Sequence, residues 1–231
     1  MARKTLQKSI RQTLHLGLPQ RAYLLAITAA ILYCSWPLGY LLNPVVTHRH
    51  GLASELGAAG QPYSWLFDWL DITTCLLIFG VVYILTKVVD IRDWWVRAVL
   101  IGYGAFAVLT ILDAVVPLNC LPSSGGCGDV LHNPLIVLHG AMSVSASLAL
   151  FISAICCWVL AFKSEQRRFH QIMYAILWSY MLFGAISFVF LFVNGPGYLS
   201  QDYFITLTSI WIALLPFAVI QLTKKVEVKT S

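Results

Sequence analysis

Six long apolar runs dominate this 231-residue chain, and only short polar connections separate them. A helix needs about 20 mostly apolar residues to cross the hydrocarbon core of a bilayer. Because lipid offers no partners to open backbone groups, such runs span the membrane as helices. The sequence therefore predicts an all-α, polytopic membrane helical bundle. Its six transmembrane helices are predicted at residues 22–42, 65–87, 97–118, 135–162, 171–193 and 203–223.

The composition supports this class and excludes others. Hydrophobic residues make up 59% of the chain and charged residues 11%, whereas soluble domains average roughly 45–50% and 25%. A soluble enzyme, a disordered tail and a nucleic-acid-binding module are therefore excluded. The predicted organisation is a cytoplasmic amphipathic segment at 1–21, a transmembrane domain at 22–223 and a cytoplasmic tail at 224–231.

The distribution of Lys and Arg predicts the orientation. Fourteen of the fifteen basic residues lie in the N-terminal segment, the second and fourth connections or the tail, and Arg49 alone lies on the opposite side. Cytoplasmic loops carry the excess of basic residues. Both termini are therefore predicted to be cytoplasmic, and the net charge of +5 reflects an anionic leaflet rather than a nucleic-acid partner.

The prolines and glycines yield local predictions. Apolar residues recur every fourth position before Pro19, which favours a basic amphipathic helix that ends there and anchors the chain or binds a partner. Pro37 and Pro216 are predicted to kink the first and last spans.

Glycines inside the spans are predicted to permit close helix contacts; they are Gly102, Gly104, Gly140 and Gly184.

The external connection 43–64 is long for a connector and contains His48, His50 and Glu55. It is predicted to be a structured cap that folds over the helix ends. Glu55 is expected to be shielded from water and to lie near the His132 and His139 end of the fourth span.

The second external connection contains Cys120 and Cys127, separated by residues that turn tightly. On an oxidising face these cysteines favour a disulfide. Two free thiols that bind a metal are the alternative.

Three ionisable residues lie inside predicted spans, all near the external ends. Asp71, Asp113 and His139 fall at a similar depth, roughly 7–10 Å below the helix ends at 1.5 Å per residue. Asp68 is one turn above Asp71, and His132 precedes His139 at the start of the fourth span. An ionisable residue within the membrane suggests function, although each one alone could serve packing. Together they predict one polar site open to the outside.

Several chemistries fit this cluster. Imidazole and carboxylate ligands resemble a catalytic zinc site, with His139, Asp113 and His132 as metal ligands and Asp71 in the same pool. Without a metal, an Asp–His pair could relay protons or act as a general base beside Ser143 or Ser145. Without chemistry, the same groups could bind a lipid head group or a cationic ligand.

Three segments carry a family resemblance. They are SELGAAGQPYSWLFDWLDI (54–72), LDAVVPLNC (112–120) with Cys127, and HNPLIVLHGAMSVSA (132–146). They resemble the domain-of-unknown-function 998 family of six- or seven-helix, mostly prokaryotic membrane proteins. The site positions that this resemblance implies are Glu55, Gln61, Asp71, Asp113, Cys120, Cys127, His139 and Ser143.

A looser similarity links this family's His, Asp and Ser content to the alkaline ceramidases and adiponectin receptors, which are zinc-dependent intramembrane hydrolases. This chain has no histidine in its last two spans, so it lacks the zinc triad of those enzymes.

Three functions fit these residues. The first is a hydrolase or transferase, with metal assistance, that acts on a lipid or lipid-linked substrate in a prokaryotic inner membrane. The second is a non-catalytic binding, sensing or accessory protein. The third is a small transporter that would work as a homo-oligomer, although the sequence shows no inverted repeat. An open ligand position among convergent side chains favours the enzyme, and polar groups that satisfy one another favour the binding protein.

Overall fold

The computed structural model describes residues 2–48, 51–116, 118–122, 127, 132–164, 167–193 and 197–229. Within them the chain is helical apart from short connections and contains no strand. In chain order, the elements are α1 (Ala2–Tyr33), α2 (Trp36–Leu42), α3 (Pro44–His48), a 3-10 helix (Ala53–Gly57), α4 (Ser64–Val88), α5 (Trp94–Val115), α6 (Pro134–Lys163), α7 (Arg167–Val193) and α8 (Gly197–Lys229). The predicted all-α bundle is confirmed.

Several of these helices can cross a membrane. Among the described residues, α4, α5, α6 and the Gln201–Thr223 part of α8 are long and apolar enough to span it. A fifth span is formed if Gly17–Tyr33 and Trp36–Leu42, which meet at 43°, cross together. Large apolar side chains such as Leu24, Leu76 and Ile101 are exposed on the outer faces, as expected for contact with lipid. The chain is therefore a multi-pass membrane protein, while the count of six spans stays a prediction.

The first predicted span differs from the structure at two prolines. Helix α1 continues through Pro19, which was expected to end it. An interior proline removes one backbone hydrogen bond and can kink a helix without ending it. The kink predicted at Pro37 is instead a break, because α1 ends at Tyr33 and Pro37 lies in the first turn of α2. Proline lacks an N–H and suits a helix start, so Ser35-Trp36-Pro37 begins a new helix.

The long helices form a closed ring. Each packs against its neighbours in the order α1, α4, α5, α6, α7 and α8, and α8 returns to α1. Helix α8 also contacts α4 and α6, and Trp211 in α8 is fully buried. The hydroxyl of Tyr103 in α5 donates to the Ile212 carbonyl of α8 at 3.1 Å. The last helix therefore supplies much of the core.

Helices α5 and α6 approach closely at Gly102. A Cβ at Gly102 would lie 2.8 Å from the Ala149 carbonyl oxygen and 2.9 Å from the Ser153 Cβ. Next to this contact, the Ser153 hydroxyl donates to the Val99 carbonyl at 2.9 Å. The packing role predicted for Gly102 is confirmed. The same prediction is wrong for three other glycines, where an added Cβ would meet no described atom within 4 Å beyond its own helix; they are Gly104, Gly140 and Gly184.

The described residues of the connection 43–64 form α3 and the 3-10 helix, which confirms the predicted structured cap. The Ala59 N–H donates to the Leu118 carbonyl at 2.8 Å and so joins the cap to the α5–α6 connection. Gln201 Nε2 of α8 donates to Ser54 Oγ at 3.5 Å. Asn43, fully buried, donates from Nδ2 to Gln61 Oε1 at 3.1 Å. The cap is thus attached to both sides of the bundle end.

Candidate functional site

A cavity of about 130 Å³ lies at the end of the bundle where α4, α6 and α8 begin and α5 ends. Residues of these four helices line it, together with the end of α1 and the 3-10 helix of the cap. The volume is close to the roughly 150 Å³ of a protein cavity that holds benzene, and below the roughly 300–1,000 Å³ of pockets for drug-sized ligands. The cavity therefore has room for a small head group or a few waters.

The ionisable residues predicted to converge do so. Asp71 of α4, Asp113 of α5 and His139 of α6 all line this cavity, as do Asp68 and Ser143. Each side chain comes from the part of its helix nearest the cap, which places them at a similar depth. They line one cavity, as predicted, while the hydrogen-bond reach of Asp71 to the other two, the opening of the cavity to the outside and the chemical roles of these residues stay predictions.

Asp113 is the centre of a hydrogen-bonded group between α5 and α6. The Ser143 hydroxyl donates to Asp113 Oδ2 at 2.7 Å. His139 Nδ1 lies 3.2 Å from Asp113 Oδ1, within ion-pair distance. Of the two side chains, His139 is 12% exposed and Asp113 20% exposed. Asp113 thus accepts a hydrogen bond from the serine and lies beside the imidazole, and its Oδ1 has no hydrogen-bond partner among the described residues.

The hydrogen bonds of His139 fix its tautomer. Nδ1 donates to the Val116 carbonyl oxygen at 2.9 Å, and because a carbonyl only accepts, Nδ1 carries the hydrogen. Nε2 is buried and has no hydrogen-bond partner among the described residues. In the neutral ring Nε2 therefore bears a lone pair, which can accept a proton or bind a metal.

The order of this group differs from that of a serine hydrolase. In a Ser-His-Asp triad the histidine lies between the other two and takes the serine proton. Here the aspartate lies between Ser143 and His139, and the Ser143 hydroxyl is directed to a carboxylate. The arrangement favours activation of a water or an acceptor hydroxyl by the imidazole over nucleophilic attack by Ser143.

Two further carboxylates lack this support. Among the described residues, no hydrogen bond to the Asp68 or Asp71 carboxylate is present. Asp68 lies beneath the cap, where a Cβ on Gly57 would be 2.7 Å from its Oδ1. Shielding a carboxylate from water without a hydrogen-bond donor costs free energy. Asp68 and Asp71 are therefore suited to a ligand that carries its own hydrogen-bond donors.

Other cavity residues were not predicted from the sequence. Tyr33, Trp36, Thr110 and Gln201 also line the cavity. Trp36 is held by donation from Nε1 to Thr206 Oγ1 of α8 at 3.2 Å. The Ser35-Trp36-Pro37 start signal could have located the break that brings Trp36 here. The polar Gln201 at the start of the last span was a weaker signal.

Three residues that the sequence analysis assigned to the site, Glu55, Gln61 and His132, do not line the cavity. Glu55 is fully buried, which confirms the predicted shielding, and a Cβ on Gly51 would lie 2.6 Å from its Oε2. Its predicted contact with His132 or His139 stays a prediction. Gln61 accepts from Asn43 within the cap, and His132 is exposed before α6.

The predicted N-terminus of α6 is confirmed, because the Asn133 side chain accepts from the Leu135 N–H at 3.2 Å and Pro134 begins the helix. His50 and the side chain of His48 lie outside the described residues.

The predicted zinc ligands are not assembled in the described part of the chain. No group of three His, Cys, Asp or Glu side chains there could hold a metal ion. His139 and Asp113 are in contact, but His132 does not complete a three-ligand set with them. A zinc site would need a ligand from outside the described residues or a rearrangement.

The two cysteines of the α5–α6 connection form a disulfide. Cys120 and Cys127 are bonded, with their Cα atoms 5.4 Å apart. The predicted pairing is confirmed. The other cysteines are free, and Cys75, Cys156 and Cys157 are buried among apolar side chains, as expected for packing residues.

The fold and the cavity together define a multi-pass α-helical membrane protein with an acidic, histidine-containing cavity at one end of its bundle. The chain belongs to the family described as "Protein of unknown function (DUF998)", whose profile matches residues 26–222. No curated protein and no solved structure matches it. These comparisons do not extend the kinship to the alkaline ceramidases and adiponectin receptors.

Proposed function

We propose that this protein is a membrane-embedded hydrolase or transferase that acts on a lipid or lipid-linked substrate. One observation carries the proposal: His139 is fixed through Nδ1 and leaves Nε2 buried, with no partner among the described residues, beside a cavity. A positioned imidazole with a free lone pair is suited to general-base catalysis.

In the proposed reaction, His139 Nε2 accepts a proton from water, or from an acceptor hydroxyl in a transferase. The oxygen bonds to the acyl carbon of the substrate, the bond to the leaving oxygen or nitrogen breaks, and the imidazolium returns the proton to the leaving group. Asp113 opposes the positive charge that forms on His139, as the aspartate does in hydrolase triads. No metal ion takes part in these steps.

The location of the cavity supports a lipid substrate. The cavity lies near the ends of helices that are long and apolar enough to span a membrane, and we infer that this end of the bundle meets the lipid head groups. From the distribution of Lys and Arg, we place both termini in the cytoplasm and the cavity at the outer leaflet of a prokaryotic inner membrane. Membrane lipids are then the nearest partners.

A second candidate is a binding or sensing protein without catalysis. The hydrogen bond from Ser143 to Asp113 and the contact of Asp113 with His139 support it, because they give two of the three side chains a structural role without chemistry. In that case the cavity would hold a head group without changing it.

The enzyme is tested with the purified protein in nanodiscs made from a bacterial polar lipid extract. Lipids are compared by mass spectrometry before and after incubation in H2(18O), with wild type and with His139→Asn. The Asn amide can still donate towards the Val116 carbonyl but lacks Nε2. A product that contains the label indicates a hydrolase, and an unlabelled exchanged product indicates a transferase.

We expect His139→Asn to abolish product formation while the protein still elutes as a single folded species. Asp90→Asn, in the exposed α4–α5 connection, is the control and should keep wild-type turnover. Equal turnover by wild type and His139→Asn would reject the general base. No turnover by the wild type across the extract would favour the binding protein.

A further inference from the structure

We infer that the cavity receives a positively charged alkylammonium group of its ligand, held by Asp71 and Asp68. This deepens the proposed function by naming the substrate class, and it rests on that function only in using the same cavity.

The first reason is the charge of the lining. Asp68, Asp71 and Asp113 line the cavity, and none of the described lining residues is a lysine or an arginine. His139 can oppose one carboxylate, and it already lies against Asp113. The remaining pair of carboxylates repels an anionic group and attracts a cation.

The second reason is the division of hydrogen bonds. Asp113 is engaged with Ser143 and His139, whereas the described residues make no hydrogen bond to Asp68 or Asp71. Both are partly buried, and a buried charge needs a partner to offset its loss of water. An ammonium group supplies the charge and the donors that the protein does not.

The third reason is the remainder of the wall. Four aromatic side chains line the same cavity, Tyr33, Trp36, Phe67 and Phe204. Aromatic faces attract organic cations, and cages of such rings recognise quaternary ammonium groups. The volume of about 130 Å³ suits a small head group. A divalent metal ion is less suitable, because the described residues offer no three-ligand set.

The inference is tested by binding to purified wild-type protein in detergent free of cationic lipid. The probes are choline chloride and ethylammonium chloride, and 3,3-dimethyl-1-butanol serves as the uncharged isostere of choline. Sodium phosphate and magnesium chloride test binding of an anion and of a metal ion. All solutions have the same ionic strength. Saturable binding is measured by calorimetry and by the shift in unfolding temperature.

We expect at least one of the ammonium probes to bind. The uncharged isostere should bind about tenfold more weakly or not at all, because it lacks the ionic contact with the carboxylates. Asp71→Asn and Asp68→Asn should each weaken binding by about tenfold or more, while Asp90→Asn binds like wild type. Should Asp71→Asn fail to fold, Asp68→Asn and Trp36→Leu still test the site.

The inference is overturned if the isostere binds as tightly as choline, if the Asn variants bind like wild type, or if phosphate or magnesium alone binds. The two proposals fail separately. Ammonium binding by the wild type without any turnover would reject only the enzyme. Turnover confined to lipids without an ammonium group would reject only this inference.

Discussion

Ser143 donates a 2.7 Å hydrogen bond to Asp113 Oδ2 and thereby joins α6 to α5 beside the cavity. In this bond the serine proton is donated to the carboxylate, so it is not available to His139. The bond also helps to orient the Asp113 carboxylate, beside which His139 lies. Ser143 is therefore a positioning residue in the proposed mechanism.

We predict that Ser143→Ala lowers turnover without abolishing it. The change removes one hydrogen bond to a carboxylate, worth about 1–3 kcal/mol of unfolding free energy, but leaves His139 Nε2 in place. A fluorophosphonate probe should not label the wild-type protein. Covalent labelling at Ser143, with complete loss of turnover in the variant, would instead make it a nucleophile.

Gly57→Ala tests the contact between the cap and Asp68. The new methyl would lie 2.7 Å from Asp68 Oδ1, so the carboxylate must rotate away. Because only the end of a side chain moves, we expect weaker ammonium binding with little change in unfolding temperature. Ala59→Ser, at an exposed position of the same segment, is the control. Unchanged ammonium binding in Gly57→Ala would show that binding does not depend on the present orientation of the Asp68 carboxylate.

Gly102→Ala tests the contact between α5 and α6. Its methyl would meet the Ala149 carbonyl oxygen and the Ser153 Cβ, which are parts of a rigid helix. Overpacking of this kind costs about 1–3 kcal/mol, so the unfolding temperature should fall. Gly104→Ala, two residues further along α5 with open space around it, should be neutral. Equal unfolding temperatures for the two variants would contradict the close contact.

Reduction of the Cys120–Cys127 bond should loosen the α5–α6 connection. The bond closes a short loop with a sequence separation of 7, worth roughly 2–3 kcal/mol in the chain-entropy model. We expect a reductant to lower the unfolding temperature of wild type and to leave the Cys120→Ser/Cys127→Ser double variant unchanged. If the reductant lowers the unfolding temperature of both proteins equally, the loss of stability does not come from the Cys120–Cys127 bond.

The orientation is tested with single introduced cysteines in a background whose free cysteines, Cys34, Cys75, Cys156 and Cys157, are replaced by alanine. In intact cells, a membrane-impermeant maleimide should label a cysteine introduced at Ala59. It should label a cysteine introduced at Lys163 or Lys225 only after the cells are permeabilised. The reverse pattern would show that both termini are external.

The helical architecture followed from the sequence because apolar runs of this length have few alternatives in a bilayer. The details of the first span did not. Pro19 and Pro37 look alike as helix breakers, yet α1 passes through one and ends before the other. After the break, Trp36 begins a second helix and is bound to Thr206 of α8, a contact that the local sequence does not reveal.

The candidate site was predictable where charge in lipid marked it. Asp71, Asp113 and His139 stood out because an ionisable residue at this depth needs a partner. Trp36 and Gln201 did not, since residues of their type are common near membrane interfaces. Their place in the cavity depends on the closure of the helix ring, which local patterns do not encode.

That closure also sets when the protein can first work during its synthesis. Tyr33 and Trp36 come from the beginning of the chain, while Gln201 and Phe204 come from its last helix, and all four line the same cavity. A nascent chain that has inserted only through α6 already carries Asp71, Asp113 and His139 but lacks a wall beside them. The cavity is therefore complete only after α8 has packed, and a chain truncated before α8 would lack the wall that Gln201 and Phe204 supply.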